Sequence, residues 1–91
     1  MYSLEFTKQY LRDLKLLRKR KFDEEKLNQI IKILLSGENL PAKYKDHALM
    51  GGYVGYRECH ITPDWLLIYL KEKTIKLVTL IRSGTHSDLF K

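Results

Sequence analysis

One cysteine, Cys59, in 91 residues leaves no partner for an intramolecular disulfide, and a chain this short living outside the cell would ordinarily need several. A reducing cytoplasm is the expected compartment. No apolar run approaches the length of a bilayer span, and Met1 to Phe6 alternates apolar and polar side chains instead of forming an apolar leader after a basic start. No membrane partner is expected. Repeats, low-complexity stretches and linkers are missing too, so residues 1–91 are expected to form one domain. There is no His-Glu-x-x-His, no Cys-x-x-Cys, no paired acidic motif, no glycine-rich phosphate loop and no Gly-x-Ser-x-Gly elbow. The nucleotide-binding and serine-hydrolase arrangements are therefore set aside, a metal hydrolase using the three histidines and an aspartate is left as a weak alternative, and no metal or other cofactor is expected.

What is present is apolar content typical of a folded protein, 44%, and an excess of positive charge: 17 Lys and Arg against 11 Asp and Glu, a net +6. A surface this small with that charge suits a polyanionic partner, although charge alone does not separate RNA, DNA and an acidic protein.

The periodicity divides the chain into two halves. Tyr2 to Phe6 reads as a short strand, and Thr7 offers a hydroxyl to cap a helix. In that helix Tyr10, Leu14 and Leu17 form an inward stripe, while Lys8, Arg12, Lys15 and Lys19 form a basic one. The cluster Arg18-Lys19-Arg20-Lys21 is expected to turn, since adjacent like charges repel. A second helix starts at Asp23, with Glu24 and Glu25 at the favourable end of its dipole, buries Leu27, Ile30, Ile31 and Leu34, and stops at Gly37 before Pro41. After a polar loop the period becomes two. Strands are expected over Tyr56 to Thr62, Trp65 to Leu70 and Thr74 to Arg82, with turns at Pro63-Asp64 and Lys71-Glu72-Lys73. The fold class is α+β, with two N-terminal helices packed on a mainly antiparallel twisted sheet of about four strands.

Three histidines, His47, His60 and His86, all flank turns, and Asp64 and Arg82 stand close by in sequence. Together these residue types supply the parts for metal-free RNA cleavage. Histidine, with an unperturbed pKa of about 6.5, can take or give a proton near neutral pH. Arg82 can hold two phosphate oxygens, and Phe90 or Trp65 can stack on unpaired bases. Each residue also has a plainer reading: Asp64 as a turn residue, Trp65 as core, Phe90 as a dock for the C-terminal end, Cys59 as buried structure, and the basic stripe as a solvated face.

Three strings, taken together, narrow the choice. They are Tyr44-Lys45-Asp46-His47-Ala48-Leu49, the stretch from Gly55 to Tyr69 that contains Tyr56-Arg57-Glu58-Cys59-His60-Ile61-Thr62-Pro63-Asp64-Trp65, and Arg82-Ser83-Gly84-Thr85-His86-Ser87-Asp88-Leu89-Phe90. In order and spacing the chain resembles the YafQ branch of the RelE/ParE toxin superfamily, the toxins of type II toxin–antitoxin systems. The resemblance implies a ribosome-dependent, metal-independent endoribonuclease, or mRNA interferase, that cleaves mRNA through attack of a 2′-hydroxyl on the adjacent phosphate. It implies a cognate antitoxin as partner, with operator DNA contacted only through that antitoxin. Carried over by position, the catalytic set is His47, His60, Asp64, Arg82, His86 and Phe90. Proton abstraction falls to the His60/Asp64 pair, leaving-group protonation to His86, phosphate stabilisation to Arg82 with His47, and base orientation to Phe90. Lys8, Arg12, Lys15, Lys19, Lys45 and Arg57 are expected to meet mRNA or ribosomal RNA. The rival readings are a catalytically inactive scaffold that binds an antitoxin and acts in promoter repression, and, less favoured, a zinc-dependent hydrolase.

Overall fold

Thr7 closes the first strand, β1 (Ser3–Phe6), and opens the first helix, α1 (Lys8–Lys19), in the computed structural model of the chain, which describes residues 1–90. Its hydroxyl accepts from the Tyr10 N–H at 2.9 Å and donates to the Ile81 carbonyl at 2.7 Å, so one side chain caps the helix and ties it to a distant strand. Tyr10, Asp13 and Leu17 face inward from α1. The basic cluster turns later than expected: the helix runs on to Lys19, and the reversal comes at Lys21, with φ 62°. A helix C-terminus favours cations, and two of the four charges are paired, Arg18 with Glu24 at 2.7 Å and Arg20 with Asp88 at 2.8 Å.

Helix α2 (Glu24–Ser36) starts and stops at the expected residues, with the Asp23 side chain accepting from the Glu25 N–H and Gly37 in the left-handed region at φ 85°. A 3₁₀ turn (Ala42–Tyr44), strand β2 (His47–Ala48) and a second 3₁₀ turn (Gly51–Tyr53) follow. Then come β3 (Arg57–Thr62), β4 (Trp65–Glu72), β5 (Leu77–Gly84) and the short helix α3 (His86–Leu89). No helix among the described residues is long and apolar enough to cross a membrane.

The α+β architecture is as expected, with two corrections in the sheet. It has five strands, in the order β1-β5-β4-β3-β2, and β1 runs parallel to β5 while the other pairs are antiparallel. β2 is two residues long, too short to show a period in the sequence. The β4–β5 reversal also falls beyond Lys71-Glu72, because those residues still pair with Val78 and Leu77, and Lys76 at φ 51° completes the turn.

The sheet has two unlike faces. One carries Cys59, Ile61, Leu67, Tyr69, Val78 and Leu80 into the main core beneath α1 and α2. The other has a small cluster, Leu66, Ile68 and Leu89, with Leu49, Tyr53, Tyr56 and Ile81 at its margin. Gly84 lets α3 fold back over the end of β5: a Cβ there would stand 2.9 Å from the Asp88 Cβ.

Candidate active site

Cross-strand register assembles the site on the less covered face. His47 of β2 pairs with Glu58 of β3, Glu58 with Ile68 of β4, and Ile68 with Arg82 of β5. In the neighbouring row His60 pairs with Leu66, and Leu66 with Gly84, two residues before His86. Residues directly opposed across strands share a face, so Glu58 and His60 stand beside the small apolar cluster and away from the helices.

The three imidazoles form a row. The His47 and His60 ring centroids are 6.1 Å apart, and those of His60 and His86 are 5.9 Å apart. His47 Nδ1 lies 2.6 Å from the Lys45 carbonyl, to which it donates, leaving Nε2 3.3 Å from Glu58 Oε1. His60 Nε2 is 3.7 Å from the same oxygen. Glu58 is buried, and its Oε2 has no hydrogen-bond partner. A buried carboxylate oxygen without a partner is costly, which marks Glu58 as a site residue that sequence reasoning missed. Strand alternation was the available signal, since Glu58 lies two residues before His60 on the same face.

Asp64 and His60 do not form the expected pair. Asp64, in the β3–β4 turn, accepts from His86 instead, at 2.8 Å from Nδ1 and 3.2 Å from the backbone N–H. The β-bulge between His60 and Thr62 breaks the register just before the turn. The His86 ring, and next its backbone N–H, hold the Asp64 carboxyl below its ordinary range. Because the ring's Nδ1 is engaged, its Nε2 is the nitrogen free to meet a substrate.

Arg82 is held as a fork by Asp13 of α1, with Nε–Oδ2 3.1 Å and Nη2–Oδ1 2.9 Å, and this raises its already high pKa. Asp13 also accepts from the Ser83 N–H at 3.1 Å. Phe90 is exposed and stands edge-on to Tyr53 at 5.8 Å, making Tyr53 a second aromatic beside the site. Trp65 is core: it is buried, donates to Ser83 Oγ at 3.0 Å and packs edge-on against Phe22. Lys8, Arg12, Lys15 and Lys19 are exposed on α1, and Lys45 is exposed after the first 3₁₀ turn. Arg57 is engaged by Asp46 at 3.2 Å, and Asp46 also accepts from the Tyr69 hydroxyl at 2.6 Å.

Helix α3, which presents His86, depends on Asp88. Its carboxylate accepts from the Thr85 N–H at 2.9 Å while the Asp88 N–H is capped by Thr85 Oγ1, and Arg20 closes on it from α1. Arg20 first, then the Thr85 amide, lower its pKa from 3.8 to about 2. A depressed carboxyl contributes stability that is full above pH 4 and is lost as pH falls through about 2. Asp88→Asn is expected to unfold at lower urea at pH 7, by about 1 kcal/mol after solvent screening, and to converge with the parent near pH 2. Urea titrations across that range test it, and a difference unchanged at low pH would remove the linkage.

A small basic α+β domain of this architecture is also the fold of compact bacterial toxins from type II toxin–antitoxin systems. The model of the family "Bacterial toxin of type II toxin-antitoxin system, YafQ" matches residues 2–91. The chain belongs to the YafQ family. It is 46% identical over 89 residues to the mRNA interferase toxin YafQ of Escherichia coli K12, covering 97% of this chain and 95% of that one. The toxin in the E. coli DinJ–YafQ complex superposes with a TM-score of 0.91 at 40% identity, covering 100% of both chains. A metal-bound toxin from Helicobacter pylori has a TM-score of 0.91 at 42% identity, covering 99% of this chain and 100% of that one.

His47, Glu58 and His60 could hold a metal ion: one donor atom from each lies within 4.8 Å of the others. Two imidazoles and a carboxylate suit a divalent transition metal, and donation of the His47 Nδ1 proton to a carbonyl is the outer-shell support that ligating histidines usually have. The unpartnered Glu58 oxygen fits the same reading.

Proposed function

We propose that this chain is an mRNA interferase toxin that cleaves mRNA on the ribosome without needing a metal and is silenced by a cognate antitoxin. The observation that carries the reading is the row of three imidazoles from β2, β3 and α3, with His60 about 6 Å from the ring on either side of it. Such a row offers a base and an acid on either side of one phosphate. His60, beside the buried Glu58 carboxylate, takes the proton from the ribose 2′-hydroxyl. The 2′-oxygen attacks phosphorus, the bond to the 5′-oxygen breaks, and a cyclic 2′,3′-phosphate forms. His86, oriented by Asp64 through Nδ1, protonates the departing 5′-oxygen. Arg82 and His47 meet the charge that gathers on the phosphate, and Phe90 orients a base.

Exposed Lys8, Arg12, Lys15 and Lys19, with Lys45, suit contact with ribosomal RNA and, when the toxin is silenced, with an acidic segment of the antitoxin. Operator DNA is reached only through that antitoxin. The cytoplasm, where ribosomes are, is the compartment this activity needs.

The trio His47, Glu58 and His60 favours a second reading, a metal-dependent hydrolase. Ligation would occupy the nitrogen lone pairs that proton abstraction uses, so the two readings make opposite demands on the same atoms. Primer extension on a defined mRNA in a reconstituted translating system, with and without chelator, separates them. In-frame breaks that persist in chelator are expected. Breaks abolished by chelator and restored by a divalent metal would favour the hydrolase, and no breaks at all would favour an antitoxin-binding scaffold.

A further inference from the structure

Four of the five arginines are committed to carboxylates: Arg18 to Glu24, Arg20 to Asp88, Arg57 to Asp46 and Arg82 to Asp13. The lysines on one side of the imidazole row are not. A groove of about 380 Å³ runs between the start of α2, the Ala42–Tyr44 turn and the end of β3. Lys26, Lys43 and Lys45 line it together with Tyr44, Thr62 and His60. Among the described residues no carboxylate lines this groove, and none forms an ion pair with these three lysines.

Three uncompensated cations converging on one concavity create a positive potential that water-facing lysines scattered over a convex surface do not. Tyr44 gives the groove a flat wall. Its ring is half-buried against the main core, so it is held in place, and the Lys43 ammonium sits 5.0 Å from its centroid. The ammonium lies over the ring on a flexible stem, so when it swings to a phosphate the aromatic face it covers opens to a base. His60 lines this groove at the end of β3 and also belongs to the imidazole row, so a strand lying in the groove passes beside the place where cleavage is proposed.

We infer that the groove is a second binding site, for the backbone and one base of single-stranded RNA flanking the cleaved phosphate, with Lys26 and Lys43 as its phosphate contacts and Tyr44 as its stacking face. The inference rests on the proposed nuclease function for its position along the strand, and on the groove's own charge and shape for its chemistry. The Tyr44 ring favours RNA over an acidic protein segment, because a nucleic acid brings both a base to stack and a phosphate to pair, whereas an acidic peptide uses only the charge. The basic stripe on α1 contributes nothing to this lining.

The test uses the whole chain and fluorescein-labelled RNA of two to eight nucleotides, 2′-O-methylated throughout to prevent cutting, with binding followed by anisotropy. Affinity is expected to rise with length and then level off once the groove is filled. K26E/K43E should lose about tenfold of that length-dependent gain and bind the dinucleotide as the parent does. Its slope of log affinity against log salt should fall by about 1.4, two phosphate contacts at roughly 0.7 each on a single strand. K32E/K73E changes net charge equally at lysines outside the groove and should keep the gain. A length-dependent gain equal in the parent and K26E/K43E overturns the inference, as does equal loss in both double variants. Unchanged RNA binding with lost affinity for a glutamate decamer overturns it in favour of a protein occupant. Binding is read separately from cleavage, so a parent that binds longer RNA in this groove but cuts no mRNA would defeat the nuclease reading and leave the groove standing.

Discussion

Replacing His86 with Ala is expected to slow mRNA cleavage by about 100- to 10,000-fold, the usual contribution of a positioned acid or base, while barely changing stability. The His86 side chain is 53% exposed and Asp64 is 70% exposed, so removing the ring opens no cavity and strands no buried charge. The loss is therefore chemical. Asp64→Asn should give a smaller drop, because an amide still orients the ring but no longer stabilises its charged form. Single-turnover cleavage by both variants, beside thermal melts within about 0.5 kcal/mol of the parent, checks the assignment. His86→Ala cutting as fast as the parent would transfer the acid role elsewhere.

Asp13→Ala should have the largest effect on the fold of any polar substitution near the site. Its carboxylate is 8% exposed and serves four donors, two on Arg82, the Ser83 amide and the Gln9 side chain. Removing it leaves a partly buried guanidinium and a buried N–H without partners, a loss of about 2–4 kcal/mol. For a domain of this size, at about 4–8 °C per kcal/mol, the melting temperature should fall by well over 10 °C. Cleavage should fall as well, even at temperatures where the variant stays folded, because Asp13 sets where the Arg82 fork points. Asp13→Asn keeps acceptors for Ser83 and part of the fork and should be intermediate. A shift under about 3 °C for the Ala variant would show that this pair contributes no more than an exposed one.

Local signals were the legible ones. Thr7, Asp23 and Gly37 announce helix ends because capping is settled by chemistry within four residues. The histidines, Asp64, Arg82 and Phe90 stand out by residue type and resemblance. What could not be read was pairing across distance. Asp64 sits nearer His60 in sequence, yet a bulge and a fold-back at Gly84 deliver it to His86. The parallel β1–β5 pair leaves no trace in either segment's alternation. Glu58 looks like an ordinary solvent-side strand residue until its face is known to hold two imidazoles. Asp13 was half legible: it falls between Tyr10, Leu14 and Leu17 on the inward face of α1, where an acid needs a partner, but nothing local identifies that partner as Arg82.

The Thr7 hydroxyl and the Ile81 carbonyl it binds are 74 positions apart, and β1 finds its neighbour only in β5. During synthesis the first strand and the helix it leads into must wait until β5 has been made. Closing so long a loop comes before any pairing can reward it, which slows folding and makes it a late event. The same closure brings Asp13 to Arg82 and Arg20 to Asp88. Hairpins β3–β4 and β4–β5 can form early from neighbours and carry the imidazoles with them, but Arg82 takes its fixed place only after α1 has docked on β5.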